Sequence, residues 1–391
     1  MRLALLVAFL LHFVAGQDIL PEDDVVDAAE CANRTAGYFT SLTPGKFASS
    51  AFFDCFRPLD AVISFLDAFA TANLPNVSVQ KFNISTTVLG QSIPAYKLTS
   101  LTNTSKKAIY LQSTMHAREW ISLTSTVFTW ASLLDGIAAA NSSIVKLVDL
   151  YDWVYVPIVN VDGYVYSWTH ERFFRKNLRM RSYFPLNPES NFSAGVDLNR
   201  NFGPSFDMNE DSETYSGPEP FSEPEVKGIK SWIDKTQVNG PGLAGVLDIH
   251  SIGTYVLTPY ANSSMPPVAP YGQALQTLAI SIQSAVRSVA GGNYTVMSMY
   301  DMYFAQGTFS DYVFATYKVP SIVIEIEGNS FRVPSSTIRR RGNEITAAVL
   351  ALANGIPQWN KEIQPPIAAA ACGLRRPTTL LATLWLFAVL F

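Results

Sequence analysis

The stretch "STMHAREW" (residues 113–120) closes a short apolar run, "AIYLQSTM" (108–115), and sets His116 three residues before Glu119, with Arg118 between them. Histidine is scarce in this chain: there are four, and His12 falls inside an N-terminal hydrophobic segment. A His and a Glu three apart beside a strand end can face one metal ion, and a second His from a distant strand would complete the set. Two other runs, "AGVLDIHS" (244–251) and "SIVIEIEG" (321–328), alternate as strands and carry His250 and Glu325. Side chains at the carboxyl ends of strands in an open α/β sheet can converge, so His116, Glu119, His250 and Glu325 form one predicted site. Two His and one Glu with an open fourth position is a catalytic zinc pattern. Such a metal polarises a carbonyl and acidifies water, and a separate carboxylate, here Glu325, is then needed as general base. H-x-x-E by itself occurs by chance, and a lone His beside an apolar run is ordinarily a packing residue. The linked set carries the reading; His170 fits no ligand position and reads as structural.

Outward from this stretch, the chain alternates strands and helices. "RPLDAVISFLDAFATAN" (57–73) is amphipathic at helical spacing, with Leu59, Ile63, Leu66 and Phe69 on one face. "WISLTSTVFTWASLLDGIAAA" (120–140) reads as a buried helix and "DWVYVPIVNVDG" (152–163) as a strand ending in a turn. "SSTIRRRGNEITAAVLALANGI" (335–356) reads as a final amphipathic helix whose Arg339, Arg340 and Arg341 form its solvated face. This order predicts an α/β sheet covered on both faces. The organisation is a signal peptide (1–16), a polar extension without its own core (17–49), one catalytic-sized domain (50–356), and a linker with a hydrophobic tail (357–391).

The 391 residues are 48% hydrophobic, enough for one large core, and the net charge of −4 excludes bulk attraction to nucleic acid. "MRLALLVAFLLHFVAG" (1–16) has the charged start, apolar run and small residues of a secretory signal. Asn-x-Ser/Thr triplets begin at Asn33, Asn76, Asn83, Asn103, Asn141, Asn191, Asn262 and Asn293, which favours a glycosylated, exported surface. In an oxidising compartment Cys31 and Cys55 are the expected pair, with Cys372 left over. At the other end, "AAACG" (369–373), a polar spacer and "LLATLWLFAVLF" (380–391) follow the order of a GPI-attachment signal. A tail anchor and an uncleaved hydrophobic end are the alternatives. The chain is thus expected to be extracellular, secreted or GPI-anchored, and to meet a membrane only through that tail.

At this point the sequence resembles the zinc metallocarboxypeptidases of the M14 type, the pancreatic carboxypeptidase A/B family. "HAREW" (116–120), "VPIVNVDGYVYSWTHERFFRKN" (156–177), "GVDLNRNF" (195–202), "DIHSIGTYVLTPYA" (248–261) and "MYFAQGTFSDYVFATYKVPSIVIEIEG" (302–328) match its motifs in order, over roughly residues 50–356. The resemblance implies a mixed, mostly parallel twisted sheet with helices on both faces. It implies one Zn2+ per chain on His116, Glu119 and His250, with Glu325 as general base. Arg175 would stabilise the oxyanion. Asn199 and Arg200 would clamp the terminal carboxylate of a peptide or protein. Tyr303 would close over the substrate, Arg118 and Ser251 would bind residues near the cleaved bond, and Asp197 would orient its neighbours. The implied partner is a peptide or protein C-terminus, and the implied state is a monomer.

By the same resemblance, Ser310 sits at the base of the pocket for the terminal side chain, with Leu257, Ala261, Ser298, Met302, Ala305, Thr308 and Val323 around it. None is charged, which predicts release of neutral, apolar or aromatic residues. Three departures stand out. Only residues 17–49 separate the signal from the domain, in place of a folded pro-domain. Glu327 stands two residues after the base, where digestive members often carry an Arg; it either repels Glu325 and raises a pKa or pairs with a nearby Arg. The cysteines do not match the family's internal disulfide. A weakly catalytic peptide-binding or scaffold protein on the same fold is the runner-up. An amidase or esterase is a third reading, against which the carboxylate clamp argues.

Overall fold

All six residues of "AIYLQS" are buried, which places strand β3 (Ala108–Ser113) in the middle of a sheet. The computed structural model describes residues 23–103, 106–180, 195–209 and 213–364. The expected signal peptide, the Asn191 triplet, the hydrophobic tail and Cys372 lie outside the described residues. The sheet has eight strands in the order β1-β2-β4-β3-β5-β8-β6-β7. These are β1 (Val77–Thr86), β2 (Ser92–Ser100), β3, β4 (Asp152–Val156), β5 (Leu243–Ser251), β6 (Tyr255–Thr258), β7 (Thr295–Ser298) and β8 (Ser321–Ile326). The central four, β4-β3-β5-β8, run parallel; β1 and β2 add antiparallel at one edge, and β6 pairs antiparallel with β8 at the other. The expected mixed, mostly parallel sheet is what forms.

Adjacent residues of β3 point to opposite layers, as strand geometry requires. The Tyr110 ring meets Trp232 of helix α6 (Pro224–Asn239) at 5.6 Å and Phe309 of helix α9 (Phe309–Tyr317) at 5.8 Å. Leu111 is in register with Tyr155, whose hydroxyl lies 2.7 Å from Thr126 and whose ring meets Trp130. Both belong to α3 (Trp120–Ala138), which is long and apolar enough to cross a membrane yet is buried almost throughout. Helix α10 (Ile338–Glu362) packs on α3 and on α7 (Tyr271–Ala290), completing that layer.

Four features differ from the sequence reading. In α2 (Leu59–Ala70) the buried stripe is Val62, Phe65, Leu66 and Phe69, a rotation that buries Val62 and Phe65 in place of Leu59 and Ile63. The last helix runs through Pro357 to Glu362, because Ile356 and Trp359 stay buried beyond the proline. Of the arginine triplet, Arg340 alone is solvated, with its side chain half-exposed. Arg341 turns inward between Glu327 (2.7 Å) and Glu344 (2.8 Å), and Arg339 donates to the Ala48 and Ser50 carbonyls and to Asp54. Residues 23–48, read as an extension without its own core, pack into the main core: α1 (Asp23–Arg34) buries Val25 and Ala28, and Tyr38 and Phe47 lie in the central cluster, while the disulfide between Cys31 and Cys55 forms as expected.

Candidate active site

The carboxyl ends of β3, β5 and β8 bring four distant segments together. His116 lies in the turn between β3 and α3, where Thr114 has a positive φ of 56° and Ala117 N–H donates to the Arg175 carbonyl. Glu119 immediately precedes α3. His250 is the penultimate residue of β5 and is in register with Glu325 on β8. Asn199 and Arg200 sit in a short 3-10 turn (Leu198–Arg200), with Asp197 capping it by accepting the Asn199 N–H.

His116, Glu119 and His250 are all buried, and one ligand atom from each lies within 4.8 Å of the others. His116 Nδ1 is 2.7 Å from Glu119 Oε1, His250 Nδ1 is 3.2 Å from Glu119 Oε2, and the two Nδ1 atoms are 3.1 Å apart. Each ring keeps its far nitrogen against a carboxylate: His116 Nε2 is 3.3 Å from Asp197 Oδ1 and His250 Nε2 is 3.0 Å from Asp248 Oδ2. The Asp197 carboxylate favours the Nε2–H tautomer of His116 and turns its Nδ1 toward Glu119 and His250. Two ring nitrogens and a carboxylate so close repel unless a positive charge sits among them. This donor set fits a small divalent ion that accepts both N and O, with zinc first. Burial opposes ionisation of Glu119, but His116 and His250 beside it hold the carboxyl well below its ordinary range. Burial also opposes charge on Asp197, and Arg175, Arg200 and His116 override it and keep that carboxyl ionised.

Glu325 faces the cluster. Burial pushes its carboxyl up; Glu119 and Asp248 add to the rise, while His250 and Arg175 oppose it. Arg175 is fixed by two bonds from its Nε (3.0 Å) and Nη2 (2.8 Å) to Asp197 Oδ2. Arg200 donates to the Asn199 carbonyl (2.8 Å) and to the Tyr303 hydroxyl (3.3 Å), and the Tyr303 ring is 45% exposed at the mouth. Asn199 Oδ1 accepts the Phe309 N–H, which locks the turn to α9. Arg118 is not free: it pairs with Glu213 (2.5 Å) and lies over the Phe331 ring. Ser251 gives its backbone N–H to Glu119 (3.1 Å), and its buried hydroxyl has no partner among the described residues.

Leu257, Ala261, Met299, Met302, Ala305 and Val323 line the cavity beside the metal cluster, together with Asn199, Tyr303 and Glu325. Of the residues expected around it, Ser298 and Thr308 instead cap short helices, accepting the Asp301 and Asp311 N–H groups. Ser310 is buried under the lining, its hydroxyl 2.9 Å from Ser321 Oγ. Ser321, Val323 and Glu325 share one face of β8, so this pair lies one step deeper than Val323. Glu327 follows the second of its two alternatives: it pairs with Arg341, and that bond and charge lower its pKa.

Sequence reasoning missed Asp248, although "DIH" carried the signal: residues two apart on a strand share a face. It missed Met299, adjacent to the named Met302 region, and Glu213. Nothing in the sequence pointed to Glu213, because its segment has no periodic pattern.

The chain matches the zinc carboxypeptidase family model over residues 62–348. It is 33% identical over 292 residues to the inactive metallocarboxypeptidase ecm14 of Sclerotinia sclerotiorum, covering 71% of this chain and 47% of that protein. The protein of the same name from Uncinocarpus reesii is 32% identical over 280 residues, covering 68% and 46%. The chain thus spans about half the length of these curated relatives. Among solved structures, carboxypeptidase A from Helicoverpa armigera superposes with a TM-score of 0.70 at 27% identity, covering 86% of this chain and 82% of that one. Thrombin-activatable fibrinolysis inhibitor shares the fold, with a TM-score of 0.73 at 24% identity over 86% and 80% of the two chains. The His-Glu-His cluster, the eight-stranded sheet and the family match agree: the chain belongs to the zinc carboxypeptidase family.

Proposed function

We propose that this protein is an active zinc carboxypeptidase that releases neutral, apolar or aromatic residues from the C-termini of peptides or proteins. One observation carries the reading: His116 and His250 of the metal cluster, the separate carboxylate Glu325 and Asn199 line a single cavity whose inner wall is apolar, with Arg175 held by Asp197 and Arg200 by the Asn199 carbonyl beside them. Zinc held by His116, Glu119 and His250 would polarise the scissile carbonyl and lower the pKa of water beside it. Glu325 takes the proton from the attacking water and returns it to the leaving amine. Arg175, immobilised by Asp197, offers a preorganised positive charge to the developing oxyanion. Arg200 and Asn199 meet the terminal carboxylate, and Tyr303 covers it.

The inner wall supports the neutral preference. A Lys, Arg or Glu terminus would bury its charge among Leu257, Met299, Met302 and Val323 without a partner. Asp311 is not available to a basic terminus, since its oxygens accept the Ala261 and Asn262 N–H groups and burial pushes its carboxyl up to about 6. Thioether side chains adapt to differently shaped apolar ligands. The Cys31–Cys55 bond, the glycosylation triplets and the two terminal hydrophobic segments support an exported protein, soluble or GPI-anchored.

The second reading is a peptide-binding protein with little catalysis. The names of the ecm14 relatives favour it, and so does the ion pair that occupies Arg118. Hydrolysis of blocked dipeptides ending in Phe, Leu, Ser, Lys or Glu separates the two. Release of Phe and Leu that a chelator abolishes and zinc restores supports the enzyme. Preference for Lys or Glu overturns the pocket assignment, and no release from folded, zinc-loaded protein favours the binding reading.

A further inference from the structure

We infer that Asp24, in the N-terminal helix α1, is a positioning residue for the channel that receives the substrate chain upstream of the cleaved bond. The inference rests on the carboxypeptidase reading. Its centre is Arg172, whose side chain is almost wholly buried and lies over the Trp120 ring at 3.7 Å. Three donors on this guanidinium reach three separate segments. Nε donates to Asp24 Oδ2 (2.7 Å), Nη1 to the Arg118 carbonyl (2.8 Å) and Nη2 to the Phe331 carbonyl (2.9 Å). Arg118 is the residue before the metal-binding Glu119, and its guanidinium lies over the Phe331 ring at 4.3 Å. The side chain that ties the Arg118 and Phe331 backbones together is therefore oriented by a carboxylate 148 residues away in the sequence.

Docking of α1 depends on few contacts. The helix buries only Val25 and Ala28, and a cleft of about 470 Å³ separates it from residues 332–336. Polar and covalent contacts add to these: Asp24 to Arg172, Asp24 Oδ1 to Arg332 Nε at 3.4 Å, Arg57 Nη1 to the Ala32 carbonyl at 3.2 Å, and Cys31 to Cys55. A planar guanidinium that loses one fork partner keeps its charge but not its orientation. Without Asp24, the Arg118 and Phe331 carbonyls lose a fixed donor while the metal ligands keep Asp197, Asp248 and the Ser251 N–H. The effect belongs to substrates long enough to touch Arg118 and Phe331.

The test compares wild type with Asp24→Ala and Asp24→Asn on two zinc-loaded assays: a blocked dipeptide ending in Phe, and a blocked pentapeptide with the same end. Asp24→Ala should raise KM for the pentapeptide by about fivefold or more, leave dipeptide kcat and KM within about twofold, and be partly rescued by Asp24→Asn, which keeps an acceptor for Nε. A Cys31→Ser/Cys55→Ser variant should act in the same direction. Amide hydrogen exchange at residues 331–333 should quicken in Asp24→Ala, whatever the catalytic activity. Equal changes for both substrates, or none, overturn the positioning role. If wild type cleaves neither peptide, the functional reading fails on its own; unchanged exchange at 331–333 then overturns the positioning role independently.

Discussion

Replacing Glu225 by Gln should make the protein more stable at alkaline pH and change it least near pH 5. Glu225 is in the first turn of α6 and fully buried. Its Oε1 accepts the Val88 N–H at 3.1 Å, and Asn177 Nδ2 lies 3.4 Å from each oxygen. Burial pushes its carboxyl from 4.5 up to about 8; the Val88 bond opposes the rise, and Glu223 and Asp162 add to it. Between those two values the unfolded chain is ionised there and the folded chain is protonated, so folding takes up a proton and stability falls as pH rises. Integrating between about pH 5.5 and about pH 8.5 gives a loss of roughly 3 kcal/mol that glutamine, which never ionises, does not suffer. Urea unfolding of both proteins across that range measures it. Their free energies should lie closest at the acid end and diverge toward the alkaline end, with Glu225→Gln the more stable. Parallel curves, or a wild type that gains on the variant as pH rises, would refute the argument that burial dominates this site.

The active-site predictions follow from the same geometry. Glu325→Gln should lower kcat by about a thousandfold or more with KM and zinc content unchanged, since it removes only the proton acceptor; retained activity by the rate assay would sink the base assignment. Gly307 has φ +67°, and an added Cβ would strike the Arg200 carbonyl. Gly307→Ala should therefore raise KM about tenfold or more for substrates with a free carboxylate, and a variant with wild-type KM would detach Arg200 from the clamp. Ser310→Asp should turn the preference toward C-terminal Lys or Arg and lower the unfolding midpoint, because it buries a carboxylate one step behind Val323; unchanged ranking on the five dipeptides would show that Ser310 is too deep to be felt.

The layers of the fold were legible because they follow from alternation and burial. "AIYLQS", "AGVLDIHS" and "SIVIEI" could only be central strands, and an apolar helix such as 120–138 needs a core around it. Helix ends and faces were less legible. Apolar residues crowd α2 on more than one side, and the face is chosen by the Phe52–Phe65 stack at 3.9 Å, a contact between residues thirteen apart that no local period encodes. Pro357 reads as a stop signal, but the burial of Trp359 outweighs the one hydrogen bond that a proline removes.

The site divides along the same line. The residues proposed to touch the reaction could be placed by number, His116, Glu119, His250 and Glu325 from spacing and strand ends, Asn199, Arg200 and Tyr303 from the resemblance. Of the residues that hold them, Asp197 was expected to orient its neighbours; the others were misread or passed over, and these are charges turned inward. Arg341 looked like solvated surface, Arg172 carried no assignment, and Asp248 was hidden in an apolar strand. A buried charge is tolerable only when its partner is present, and the partner is decided by the fold: Asp24 for Arg172, Glu327 and Glu344 for Arg341, His250 for Asp248. A reading that assigns charged residues to solvent by default will therefore find the groups that act and miss the groups that aim them. In this protein the Asp24–Arg172 pair is where variants should change substrate range without changing the chemistry, since Asp24 can be altered while every residue around the metal cluster keeps its own partners.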